Sequence, residues 1–330
     1  MTTESQEPLE VVVGIATKDN AATIAQTLES LRAQTRMPDR LIIVDDSSDD
    51  TREIITSYAD DGWSIDILDQ PREGVGVGAA RAAIHAEFDG DILCCLDTEQ
   101  VVDDDWVMKH IQIHQSHPEV GIVSKANGQR PSGRVTSALG SDFFTQGNCS
   151  LKSGALDCVD GWDRWFHRGE DWDMRIRLWC AGVTAFATPA VRGRGIGTAG
   201  TTFWFRTKVR HGPSSLRFIR KYGRWYVRFN PKQLLGDLLG VANIGALALL
   251  PLLAWVHMVL LLSVGVVLHV SPVVFAYMRQ VWPSARWWMT VRDLRAAPIL
   301  YANGLAFLRE LTHIRTEREW NLGGFDRQVG

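Results

Sequence analysis

Five short apolar runs in the first 125 residues, separated by segments of mostly helical character, constrain this chain more than any other feature. They are Val11–Ile15, Leu41–Val44, Ile65–Leu68, Ile92–Leu96 and Val120–Val123, each the length of a strand and bounded by polar turns. Between the first two, Ile24, Leu28 and Leu31 recur at i, i+4 and i+7, which predicts a helix with one buried face and Asn20 as its cap. Strands alternating with helices build βαβ units, so the pattern predicts an α/β domain with a parallel sheet. Right-handed crossovers bring the carboxyl ends of such strands to one edge, where ligands of open α/β sheets bind. The polar residues just past those ends are the first functional candidates.

The first strand leads to Thr17 and Asp19, and the second, in LIIVDDSSDDT, to Asp45 and Asp46. An acidic turn of this kind also suits the capping of the next helix. After the third strand, REGVGVGAARAAI holds Gly74, Gly76 and Ala79 in G-x-G-x-x-A spacing. A dinucleotide fingerprint belongs directly after the first strand, so this copy, which leads to Arg81, is read otherwise. The fourth strand leads to Asp97 and Glu99, paired hard oxygen ligands suited to Mg²⁺ or Mn²⁺ beside a diphosphate. Asp103, Asp104 and Asp105 read as the cap of a helix beginning near Trp106. Further on, TQGNCSLKSGALDCVDGWDRWFHRGEDWDMRIRLWCAGV sets Glu170 and Asp171 at the head of a helix.

In this order the segments resemble the family-2 glycosyltransferases. LIIVDDSSDDT is similar to that family's VDDGSTD signature, and Asp97-x-Glu99 to its D-x-D with glutamate in second place. Gly147-Asn148, Gly161-Trp162-Asp163, Glu170-Asp171, Arg177-Leu178 and Gly182 resemble the family's Gly-Asn strand, Gly-Gly-Phe-Asp turn and Glu-Asp helix with its end. The resemblance implies a GT-A fold, Rossmann-like as in nucleotide-diphospho-sugar transferases, over residues 9–230 after a tail of 1–8. It also implies a metal-dependent, inverting enzyme that takes a UDP- or GDP-sugar. Thr17, Asp46, Arg81 and Asp97 would then hold the donor nucleotide, and Glu99 with Asp97 would ligate Mg²⁺ or Mn²⁺, joined by His211. Asp171 would be the general base, with Glu170 beside it. Arg192 and Arg194, in the glycine-rich VRGRGIGTAGTT, would clamp the diphosphate. KYGRW stands where processive members carry Gln-x-x-Arg-Trp; Lys221 in place of the glutamine implies transfer of a single sugar.

From Leu234 to Met278 the chain is almost wholly apolar, a run that suits two membrane spans, Leu234–Leu253 and Trp255–Met278. A single span with a re-entrant or interfacial helix stays open, because no polar turn divides the run. Arg224, Arg228 and Lys232 precede it and Arg279, Arg286, Arg292 and Arg295 follow it, which predicts two cytosolic ends and a C-terminal transmembrane hairpin. Residues 279–330 are expected as a cytosolic or interfacial tail, with Ala296–Leu308 lying in the interface. Charge divides the same way: 32 acids face 18 bases up to Ala199, and 6 face 17 beyond it. Bases beside apolar neighbours suit an anionic lipid surface or a lipid phosphate, with Arg220, Lys221 and Arg224 as contacts, and no nucleic acid partner is expected.

MTTESQEPLE has no secretory pattern, so a cytosolic catalytic domain on a multi-pass cell-membrane protein is expected. The five cysteines have no metal-ligand spacing and read as reduced packing residues. Seven lysines against 28 arginines, with an acidic catalytic half, is a composition resembling that of salt-accumulating microbes. The expected function is transfer of one hexose or hexuronic acid to a polyprenyl (dolichol) phosphate-linked glycan during S-layer-type N-glycosylation. For a uronic acid, Arg130, Arg134, Arg192 and Arg194 are available. The alternatives are a surface polysaccharide or glycolipid synthase and a non-catalytic binding subunit.

Overall fold

The structure is a computed structural model and describes residues 8–74, 76–126, 131–135, 144, 147–167, 169–197, 215–229, 231–254, 266–267 and 297–312. These fall into two compact units, one up to residue 197 and the other from Ser215 to Thr312. The first begins with β1 (Val11–Thr17), α1 (Ile24–Arg32), β2 (Arg40–Asp45), α2 (Thr51–Asp60), β3 (Ile65–Asp69), α3 (Gly76–Glu87) and β4 (Ile92–Leu96). It continues through β5 (Gln100–Val102), α4 (Trp106–Ser116), β6 (Val120–Lys125), β7 (Gly133–Val135) and β8 (Asn148–Lys152). The last elements are α5 (Ser153–Asp157), α6 (Glu170–Cys180), β9 (Thr184–Thr188) and β10 (Gly193–Gly195).

All five expected strands are present, in an eight-stranded sheet of order β3-β2-β1-β4-β8-β6-β9-β7. The sheet is mixed rather than parallel. β8 runs antiparallel between β4 and β6, with Leu96 opposite Asn148, so the start of β8 joins the carboxyl end of β4 at the same edge. Side chains alternate across the sheet with period two. Val12, Ile42, Val44, Leu93 and Cys95 pack on α3, α5 and α6, while Val11, Val13, Ile15, Leu41, Ile43 and Cys94 pack on α1, α2 and α4. The three-layer arrangement explains why these strands are apolar throughout: both faces are covered. Asn20 is not the cap expected of it: the N-cap of α1 is Thr23, and the Asn20 carbonyl accepts the amides of Thr23 and Ile24 in the turn before the helix, while the Asn20 side chain turns back to Lys18 O and Thr17 Oγ1.

Two polar clusters lie inside the packing. Arg177 and Asp173, both fully buried on α6, pair at 2.9 Å, and Arg177 Nη1 also donates to the carbonyls of Val159 and Gly161. On the other face, Ser150 Oγ of β8 meets His110 Nδ1 at 2.7 Å and His114 Nε2 at 2.9 Å from α4.

The second unit holds α7 (Ser215–Tyr222), α8 (Arg224–Phe229), α9 (Pro231–Ala254) and α10 (Ala297–Thr312). The expected first span lies within α9, yet among the described residues no helix is long and apolar enough to cross a membrane. Asp237 and Asn243 interrupt the apolar run, and Asp237 is fully buried, accepting the Ser215 amide. Apart from Val266 and Val267, the expected second span lies outside the described residues. The segment read as interfacial, Ala296–Leu308, lies almost wholly within α10, and α9 and α10 pack on each other.

Burial holds His114 down to about 4 and His110 well below the ordinary histidine value. A histidine depressed in the folded state supports stability above its unfolded pKa of 6.5 and loses that support as pH falls toward 4. For His114 the loss amounts to about 3 kcal/mol. Urea unfolding between these limits is expected to show this slope, and His114→Gln to flatten it.

Candidate active site

The carboxyl ends of β1, β2 and β4 and the start of β8 share one edge, and there the sequence candidates gather. The loops after β1 and β2 are knitted together: the Asp46 amide donates to Thr17 O at 3.1 Å, the Asn20 amide to Thr51 Oγ1 at 2.9 Å, and Asp19 Oδ1 accepts the Ser48 amide at 2.7 Å. Asp19 takes a left-handed φ of 51° to make this turn. Thr17 is buried at the strand end, and the exposed Asp46 pairs with Lys18, a neighbour the sequence reading did not single out.

Past β4, Thr98 turns inward and its carbonyl accepts Thr27 Oγ1 at 2.9 Å, leaving Asp97 and Glu99 exposed on either side of it. Glycines make room for both carboxylates. A Cβ on Gly147 would stand 2.2 Å from Asp97 Oδ2, and one on Gly197 would stand 2.4 Å from Glu99 Oε2. β10 pairs antiparallel with β5, setting Gly195 opposite Gln100 and Arg194 opposite Val101, so the glycine-rich stretch is fastened to the chain just after Glu99. Gln100 Nε2 donates to Gly147 O at 2.8 Å, a tie that no sequence pattern signals. Arg192 and Arg194 are exposed on this stretch.

Arg81 has two carboxylate partners that the sequence does not show. Its side chain is half-buried, with Nη1 donating to Glu170 Oε1 at 2.8 Å and Nη2 to Asp97 Oδ1 at 3.2 Å. The fork joins β4 to the head of α6 through these two carboxylates. Glu170 is the buried member of the Glu-Asp pair, and burial, opposed by Arg81, pushes its carboxyl up to about 7. Asp171 is half-buried, with Oδ1 accepting the Trp172 amide at 2.8 Å.

The Gly74-x-Gly76 stretch packs on protein. A Cβ on Gly74 would meet Arg164 O at 2.6 Å, one on Gly76 His167 Nδ1 at 2.3 Å, and one on Gly78 Phe166 O at 2.4 Å. These glycines let the start of α3 lie against the loop before α6, which brings Arg81 to Glu170.

Other candidates stand apart. Arg134, on edge strand β7 four places from β4, pairs with Glu119. Arg130 and His211 lie outside the described residues. In the second unit Lys221 is buried over the Tyr222 ring at 5.4 Å, contrary to its expected place on a phosphate-contacting surface; Arg220 is half-buried and Arg224 exposed.

No group of three or more His, Cys, Asp or Glu stands ready for a metal ion among the described residues. Asp97 and Glu99 still fit Mg²⁺ or Mn²⁺, because such ions are commonly held by one or two carboxylates with substrate phosphates completing the shell.

Residues 12–162 match the model of the family described as Glycosyl transferase family 2. No curated protein matches the sequence. Among solved structures, a mannosyltransferase from Pyrobaculum calidifontis, in complex with GDP-Man and Mn²⁺, is similar over 92% of this chain and 88% of its own, at 15% identity and TM-score 0.59. S. aureus TarS 1–349 in complex with UDP is similar over 96% of this chain and 99% of its own, at 11% identity and TM-score 0.50. These likenesses show the fold, a GT-A-like Rossmann arrangement.

Removing Arg81 leaves Glu170 buried without its partner and forces it to stay protonated. Because the folded pKa of Glu170 is already raised, that cost grows as pH rises through about 7. Arg81→Met is expected to lose about 3–5 kcal/mol in alkaline urea unfolding and clearly less near pH 5; a loss independent of pH would contradict the pairing.

Proposed function

We propose that this chain is a glycosyltransferase that moves one sugar from a nucleotide diphosphate to an acceptor hydroxyl with inversion. The observation that carries the reading is the joining of Asp97, Arg81 and Glu170 at one sheet edge, with Asp171 next to Glu170 and Glu99 two residues from Asp97. The family match over residues 12–162 supports it, as do the GDP-Man, UDP and Mn²⁺ held by proteins of similar fold.

In this mechanism Thr17 and Asp46 hold the nucleoside. Asp97 and Glu99 would hold Mg²⁺ or Mn²⁺, which when bound neutralises the charge gathering on the diphosphate. Asp171 takes the proton of the acceptor hydroxyl as its oxygen attacks the anomeric carbon from the face opposite the nucleotide. The bond to the diphosphate oxygen breaks and the nucleoside diphosphate leaves. Arg81 keeps Glu170 and Asp97 in place, and the exposed Arg192 and Arg194 offer charge to the diphosphate.

The acceptor in this reading is a polyprenyl (dolichol-type) phosphate-linked glycan at the cell membrane, with the catalytic unit cytosolic. The basic, apolar second half supports this, and Lys221 in place of a processive glutamine supports a single transfer. The arginine-rich, acid-rich composition supports assembly of an S-layer glycoprotein glycan.

Asp171→Asn is expected to lower transfer by about 10²–10⁴-fold while nucleotide binding persists; undiminished transfer would favour a non-catalytic binding module. Deleting the gene and weighing the lipid-linked glycans is expected to show loss of one sugar residue and of those added after it. Unchanged glycans would remove the pathway.

A further inference from the structure

The second unit distributes its residues opposite to a water-soluble helix pair. On α9, Gly236, Asp237, Gly240 and Asn243 are buried, while Pro231, Leu235, Leu238, Ala242 and Gly245 are exposed. At about 100° per residue the exposed set falls in one arc of about 80°, opposite the buried set. Leu235 and Leu238 are 49% and 47% exposed, and of the five exposed large hydrophobic residues among those described, only Met37 lies outside the stretch 235–267.

The partner helix repeats the pattern. On α10, Ala302, Asn303, Gly304 and Ala306 are buried, while Tyr301, Leu305 and Leu308 share a half-exposed face. The helices touch backbone to backbone: a Cβ on Gly304 would stand 2.5 Å from the carbonyl carbon of Gly240 and 2.8 Å from the amide nitrogen of Val241. Water drives leucine inward and aspartate and asparagine outward. A hydrocarbon solvent removes that drive, favours close packing through small residues, and turns polar side chains toward the helix interface. Asp237 and Asn243 are turned this way, the first accepting the Ser215 amide and the second donating to Leu239 O at 2.8 Å.

We propose that the outer face of α9, built on Leu235, Leu238 and Ala242, is seated among the acyl chains of an anionic bilayer. Charge argues for this occupant over a second copy of the chain. The exposed Arg224 and Arg228 stand just before the apolar face, its one acid is turned inward, and the sequence beyond Gly200 carries 17 bases against 6 acids. A second copy would present the same positive charge. The contact needs no crossing of the membrane. It deepens the membrane half of the proposed function and does not depend on its chemistry.

The test is flotation of the full chain with phosphatidylcholine–phosphatidylglycerol vesicles. Wild type is expected to float with the lipid, and Leu235→Glu/Leu238→Glu to lower the bound fraction about tenfold or more. Met37→Glu should leave flotation unchanged, and nucleotide binding should persist in every variant; Ala242→Glu repeats the test if the double variant misfolds. Wild type remaining with the soluble fraction, or the double variant floating equally well, would overturn the proposal. So would a lipid-free dimer, seen by sedimentation, that the double variant splits. A chain that floats but transfers no sugar would count against the chemistry alone.

Discussion

The first unit is organised around one half-buried guanidinium. Arg81 holds Glu170 at 2.8 Å and Asp97 at 3.2 Å, groups brought from α3, the head of α6 and the end of β4. A buried charge without partners costs several kcal/mol, so the packing that brings these three together cannot be loosened piecemeal. The glycines serve that packing. Gly74, Gly76 and Gly78 admit the loop at Arg164–His167, Gly147 admits the Asp97 carboxylate, and Gly197 admits Glu99. The buried Arg177 pins the turn at Val159–Gly161 behind α6 through two carbonyls. The site is therefore a consequence of close backbone approach on several sides, and its charges are placed before any ligand arrives.

Much of this was legible in the sequence, and the reason is local. Strands covered on both faces must be apolar, so the five runs announced themselves, and α6 begins at Glu170 as its acidic first turn suggested. The pairing of Arg81 was not legible. An arginine in a glycine-rich helix start looks the same whether it faces phosphate or carboxylates distant in sequence. The antiparallel insertion of β8 was hidden for a related reason, since strand direction depends on long-range pairing. Nor did periodicity reveal the His110–Ser150–His114 contacts, which cross from a helix to a strand 36 to 40 residues away.

In the second unit the apolar character is legible in the sequence, while the side of each helix that carries it is not. Lys221, expected on a phosphate-binding surface, lies buried over Tyr222, and the aromatic rings of Phe218 and Tyr226 stack at 5.0 Å. The apolar run at 234–278 suggests two spans, but among the described residues no helix is long and apolar enough to cross a membrane; α9 keeps Asp237 and Asn243 inside and packs through Gly240 on α10. Composition fixes how much apolar surface a segment has; only packing decides which side of a helix carries it.

In the proposed reaction this edge transfers a sugar by direct displacement, with one carboxylate acting on the acceptor. The most direct measurement is the anomeric configuration of the product, read by proton NMR during transfer from UDP- and GDP-sugars with Mn²⁺ and a lipid-linked acceptor. Direct displacement gives a linkage opposite in configuration to the donor. A product that retains the donor's configuration would contradict it.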